Sequence, residues 1–208
     1  DGTTLPALMG VQGATEDDLY EAMDWLFERQ MTVEKKLAAR HLQQGGLVLY
    51  DLTSSYFEGT HCPLAALGHS RDGKKGTLQV NYGLVTDALG CPVAVSVFPG
   101  NTGDSKTLMP TVKTVQNRFG IDRLVIVGDR GMITQTQLDQ LKKDDRIDWI
   151  TALRSPAIDE LLKQGHIQLG LFAERRLIEI KHPDHGRLVA CRNPDLAVLR
   201  TKKRESLL

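Results

Sequence analysis

The sequence predicts an α/β fold: a mixed five-stranded sheet flanked by helices, behind a helical lead-in and ahead of a β-rich insertion near the C-terminus. Three observations predict it. Two short apolar runs, Leu47-Val48-Leu49-Tyr50 and Leu124-Val125-Ile126-Val127, are each followed by an aspartate, Asp51 and Asp129. Runs of this length and composition suit strands covered on both faces. Between them lie two strand-like stretches a turn apart, then a stretch with apolar residues at helical steps.

The elements follow in chain order. Thr15 to Asp18 is a capping box, with Thr15 as N-cap and Asp18 at the third helical position. Leu19, Met23, Leu26 and Phe27 then recur at helical spacing, and Val33, Leu37 and Leu42 extend a second stretch that Gly45 and Gly46 end. Residues 1–46 thus read as a helical support packed on the next domain. From Leu47 the period changes to that of a strand, ending in Asp51. A loop rich in Gly and charge covers 67–76. Residues 78–86 and 92–98 are strands joined by a turn at Ala88, Leu89 and Gly90. Asp104 or Ser105 caps a helix whose Leu108, Val112, Val115 and Phe119 recur at steps of 4, 3 and 4, and Gly120 ends it. Residues 124–127 are the fourth strand, Thr134 caps a helix with Leu138 and Leu141, and 148–153 is the fifth strand. Short turns among the first three strands give an antiparallel meander; the helix-linked strands add in parallel. The core is expected over 47–155. Over 156–208, a helix at 158–163 and strands at 171–180 and 187–191, turning at 182–186, form the β-rich insertion.

Composition narrows the function classes. With 208 residues, 41% hydrophobic and 25% charged, the chain has enough apolar surface to fold without staples. Its 26 basic and 26 acidic residues balance, so any binding of nucleic acid must rest on local patches. Cys62, Cys91 and Cys191 are odd in number and form no CxxC pair, which suits a reduced, cytoplasmic protein. His61, Cys62 and His69 lack the usual spacing of zinc ligands. No apolar run approaches the roughly 18 residues of a membrane span, and no basic-then-apolar leader is present. The chain starts at Asp1 and stops inside a charged segment, 200–205, so both ends are expected to be cut.

Asp51 and Asp129 are the informative pair. Ligands of open α/β sheets collect at the carboxyl ends of strands. If the two strands are neighbours, the carboxylates meet, and they then share a proton or hold a cation. Hard oxygen ligands with open positions suit Mg²⁺ or Mn²⁺, which polarise phosphate and activate water. The plainer alternative is that each aspartate only caps a turn, which explains one such residue more easily than two in matched positions.

Several segments resemble the DDE transposases of bacterial insertion sequences: the run from Leu49 through Asp51 to Gly59, Gly68-His69-Ser70-Arg71-Asp72-Gly73-Lys74-Lys75, Gln79-Val80-Asn81-Tyr82-Gly83-Leu84, Pro99-Gly100-Asn101-Thr102-Gly103-Asp104, and Val127-Gly128-Asp129-Arg130-Gly131-Met132. The likeness spans 47–153. It implies a ribonuclease-H-like core and a cut-and-paste enzyme that cleaves double-stranded DNA at transposon ends and joins it to target DNA. Asp51 and Asp129 would be its first two catalytic acids, binding two Mg²⁺ or Mn²⁺ ions, in a homodimer assembled on DNA. The family's third acid, a Glu on a later helix within a Tyr/Arg/Glu/Lys signature, has no match: Glu205 has no accompanying Tyr, and Glu160, Glu174 and Glu179 sit in the insertion. That acid is expected beyond Leu208, and a DNA-recognition domain before Asp1.

Arg71, Lys74, Lys75 and Arg130 are the candidate phosphate contacts, with Arg123 also expected near the second acid. A charged loop is otherwise simply solvated. Gly73-Lys74-Lys75-Gly76 lacks the spacing of a phosphate-binding loop. Two other functions compete. A dehalogenase-like phosphatase would use Asp51 as nucleophile but needs a second Asp at position 53, which is Thr. A non-catalytic DNA-binding or oligomerising remnant is the third reading.

Overall fold

A long helix leads into the sheet. In the computed structural model, which describes residues 4–69, 73–74, 76–167, 177–183, 186–191 and 194–205, a short helix α1 (Leu5–Met9) precedes α2 (Glu16–His41). The capping box forms as expected: the Asp18 amide donates to the Thr15 hydroxyl, and the Thr15 amide donates to the Asp18 carboxylate at 2.6 Å. The two helical stretches are one helix, since neither Gly nor Pro interrupts 16–41. Only its C-terminal part packs, through Glu34 and Ala38. The lead-in therefore supports the domain at one end and overhangs at the other.

The sheet comprises β1 (Gly46–Phe57), β2 (Ala66–Leu67), β3 (Leu78–Thr86), β4 (Pro92–Pro99), β5 (Leu124–Val127) and β6 (Ile147–Ile150). Strand β1 pairs antiparallel with β3 and parallel with β5, and β5 is parallel to β6. β4 pairs antiparallel with β3 from Pro99 to Pro92. The order β4-β3-β1-β5-β6, with β3 against the rest, is the ribonuclease-H-like arrangement. The two-residue β2 is an addition, pairing with Leu78 and Gln79 where the β4 ladder has ended.

One face of the sheet carries the core. Val48, Tyr50 and Leu52 of β1 and Leu124 and Ile126 of β5 pack beneath α3 (Asp104–Lys113), its π-helical continuation Thr114–Arg118, and α4 (Gln135–Leu141). Leu108, Val112 and Val115 are fully shielded, as their spacing predicts. Each such side chain contributes on the order of 1.5–3 kcal/mol of burial. Gly120, at φ 72°, ends the helix. Gly83 is required on this face, because a Cβ there would lie 2.4 Å from the Tyr50 hydroxyl. Burial among these groups pushes the Tyr50 phenol up.

Residues 153–208 form a second compact unit. It holds α5 (Ser155–Lys163), a hairpin of β7 (Leu177–His182) and β8 (Gly186–Cys191), and α6 (Pro194–Glu205). The first six residues of the strand expected at 171–180, and Asp184 and His185 of its turn, lie outside the described residues. Helix α6 was not anticipated in this charged segment, yet Leu, Ala, Arg and Lys are good helix formers behind a Pro at the first turn.

Candidate active site

The register of β1 against β5 decides where the two acids go. Leu49 is the last β1 residue paired with β5, opposite Val127. Asp51 and Asp129 each lie two residues further: alternation keeps Asp51 on the face of Leu49, and Asp129 enters the turn that follows β5. Neighbouring strands run about 4.8 Å apart, so the register sets the two residues side by side. Both line one concavity of about 420 Å³ with Leu49, Leu84, Thr86, Val127 and Gly128.

One expectation needs correcting. Asp51 does not end its strand, since β1 continues to Phe57 on the β3 ladder. What ends there is the parallel pairing with β5, so the acid sits where the sheet splits. Asp129 does follow the end of its strand. Its Oδ1 accepts the amides of Gly131 at 3.0 Å and Met132 at 2.8 Å, an Asx-type turn that fixes the side chain. Asp51 Oδ1 accepts only the Leu52 amide, at 2.8 Å. Among the described residues, neither acid is in an ion pair, and Oδ2 of each has no hydrogen-bond partner. Both residues are exposed. The result is two uncompensated carboxylates presenting hard oxygens to one hollow, a donor set that fits Mg²⁺ or Mn²⁺. No third acid closes the set; among the described residues, the one three-member cluster of potential metal ligands is His41, Asp87 and Cys91, elsewhere.

The basic candidates divide. Arg130 is exposed beside Asp129 and lines an adjoining hollow with Ile150, Thr151 and Ala152. Lys74 is not beside the acids: its ammonium lies 3.4 Å from the centroid of the Tyr56 ring, five residues along β1 from Asp51, or roughly 16 Å at strand rise. Arg123 precedes β5 and so lies at the opposite end of that strand from Asp129. Arg71 and Lys75 lie outside the described residues.

Residue-level reading missed Leu84 and Thr86, which stand opposite Asp51 and Leu49. The antiparallel register supplies them, and strand alternation is the signal that finds them. The same alternation leaves Leu47, Leu84, Val95, Val97 and Ile150 exposed on the face that bears the acids. Other motif residues are structural. Gln79 donates to the Gly100 carbonyl at 2.9 Å and Asn81 to the Thr102 carbonyl at 3.0 Å, clasping the loop ahead of α3. Gly100 must be glycine, since a Cβ would lie 1.9 Å from the Gln79 carbonyl oxygen.

The family described as Transposase DDE domain matches residues 43–200. The curated proteins give no match. Among solved structures, the piggyBac transposase synaptic complex with hairpin DNA is similar at 13% identity and TM-score 0.41, over 71% of this chain and 33% of that one. The Mos1 transposase paired-end complex with left transposon end is similar at 15% identity and TM-score 0.35, over 64% and 45%. The Mos1 mariner paired-end complex with Mn gives 15% identity and TM-score 0.34, over 67% and 49%. The chain thus spans a third to a half of those chains. Matched over most of its length by one family, the chain belongs to the DDE-domain transposases.

Proposed function

We propose that Asp51 and Asp129 are the first two metal-binding acids of a DNA cleavage and strand-transfer site acting on transposon ends. One observation carries this reading: each acid stands two residues past the last paired residues of the adjacent parallel strands β1 and β5, and both line one concavity. The family is typically metal-dependent. Two Mg²⁺ or Mn²⁺ ions, when bound, would polarise a phosphate and lower the pKa of water or a 3′-hydroxyl. This chain's residues do the rest. Asp129 presents a fixed Oδ2 because its Oδ1 is held by the turn, and Asp51 presents its own from a strand paired with β3. Arg130, exposed beside Asp129, would contact a phosphate there, and Arg71, Lys74 and Lys75 would contact the duplex.

With only two acids gathered among the described residues, a non-catalytic DNA-binding remnant is the second reading. Family membership leaves the phosphatase reading without support. Titrating Mn²⁺ into the chain and following free Mn²⁺ by electron paramagnetic resonance tests the proposal. Weak binding, reduced at least about tenfold by Asp51→Asn and by Asp129→Asn, is expected. Binding unchanged in both variants would sink it.

A further inference from the structure

The end of α2 and the turn between β3 and β4 bring three side chains of mixed chemistry to one point. His41, the last residue of α2, meets Asp87 and Cys91. An imidazole nitrogen, a carboxylate oxygen and the thiol sulfur all lie within 4.8 Å of one another, with His41 Nδ1 3.0 Å from Asp87 Oδ2. A tetrahedral zinc ion with bonds of about 2.0–2.3 Å sets its ligands about 3.3–3.8 Å apart. Seating one here moves these atoms by about 1 Å or less.

The backbone builds the arrangement. Asp87 and Cys91 stand across the neck of the turn, where the Asp87 amide donates to the Cys91 carbonyl at 3.1 Å. The amides of Leu89 and Cys91 hold Asp87 Oδ1 at 2.9 and 2.8 Å, while Oδ2 faces His41. Donors to its other oxygen fix a ligating carboxylate in this manner. Asp87 is buried, whereas His41 and Cys91 are half-buried, which leaves a path for an ion and a fourth position for water. The donor set selects the metal. Imidazole and thiolate suit zinc, whereas Mg²⁺ and Mn²⁺ prefer oxygen. Tying a helix end to a turn needs only His41 and Asp87; the thiol beside them is the third ligand that zinc requires.

We propose that His41, Asp87 and Cys91 form a zinc site that clips the end of α2 to the β3–β4 turn. On binding, the Cys91 thiol gives its proton to solvent and its sulfur bonds the ion as thiolate. His41 stays neutral, its one proton moving from Nδ1 to Nε2, and Nδ1 exchanges its hydrogen bond with Asp87 for a bond to zinc. Neither Asp51 nor Asp129 takes part, so this site and the proposed catalytic one stand or fall separately.

Cobalt(II), a coloured substitute for zinc, tests the site in the chelator-treated 208-residue chain. One Co²⁺ per chain should bind and give a thiolate-to-cobalt absorption band in the near ultraviolet, which a small excess of Zn²⁺ abolishes. Cys91→Ser should remove the band, and His41→Ala should weaken binding at least about tenfold. Cys62→Ser, Cys191→Ser, Asp51→Asn and Asp129→Asn should leave the band unchanged. Zn²⁺ should also raise the Tm of the wild-type chain and not that of Cys91→Ser. The absence of a band would overturn the proposal, as would a band that survives Cys91→Ser or an affinity unchanged in His41→Ala. A band lost in Cys191→Ser would do the same, by placing the ion on the exposed thiol instead.

Discussion

Asp129 owes its position to its own backbone. The amides of Gly131 and Met132 close on Oδ1, so the side chain is set before any ligand arrives. Asp87 shows the same device used for architecture. The amides of Cys91 and Leu89, with His41, hold its carboxyl below the usual aspartate range. It thereby ties the turn between β3 and β4 to the last residue of α2. A carboxyl whose pKa is lowered by folding stabilises the fold above its unfolded pKa, about 3.9, and that contribution is lost as pH falls through the folded value. Asp87→Ala is therefore expected to lower Tm at neutral pH, with the gap to wild type narrowing below about pH 4. Thermal melts at several pH values check this; a gap independent of pH contradicts it. His41 and Asp87 were not legible as a pair, because 46 residues separate them and no pattern in the sequence links a helix end to a hairpin turn.

At the scale of elements, Glu34 joins three of them. Its carboxylate accepts the Val95 amide of β4 at 3.2 Å and pairs with Arg118 of the π-helical turn, while Gln30 of α2 donates to it at 2.8 Å. Bonds to a buried charge are worth about 1.5–3 kcal/mol each, so Glu34→Ala is expected to cost about 3 kcal/mol in urea unfolding with an unchanged m-value. A loss near zero would mean that α2 is not docked by this residue. Elements whose boundaries rest on periodicity were legible: β3, β5 and the buried face of α3 lie where alternation and the 4-3-4 spacing put them. The length of β1 was not. Thr53, Ser54 and Ser55 read as loop, and they are strand because the β3 ladder pairs them. Those partners, Tyr82, Asn81 and Val80, lie 25 to 29 residues away, so the cause is tertiary and invisible locally. Asp51 was singled out for its chemistry and wrongly placed at a strand end for the same reason.

Within the first unit, the sheet carries its core on one face, and both acids stand on the other, where Leu84 and Ile150 are exposed. Zero net charge means that no long-range field draws DNA in. Binding is expected to be weak and insensitive to sequence. Three or four phosphate contacts from Arg71, Lys74, Lys75 and Arg130 give a slope of log affinity against log salt of about −3. Lys74→Ala/Lys75→Ala should reduce that slope by about two units on every duplex alike. Fluorescence anisotropy with terminal-repeat and scrambled DNA checks this, and a strong preference for either duplex contradicts it. The central claim is that Asp51 and Asp129 hold a divalent ion between them. A crystal of the chain soaked in Mn²⁺ and measured at the manganese absorption edge tests that directly. An anomalous peak is expected within bonding distance of Oδ2 of both aspartates, lost in Asp129→Asn. No peak there at saturating Mn²⁺, or one only at His41, Asp87 and Cys91, would contradict it.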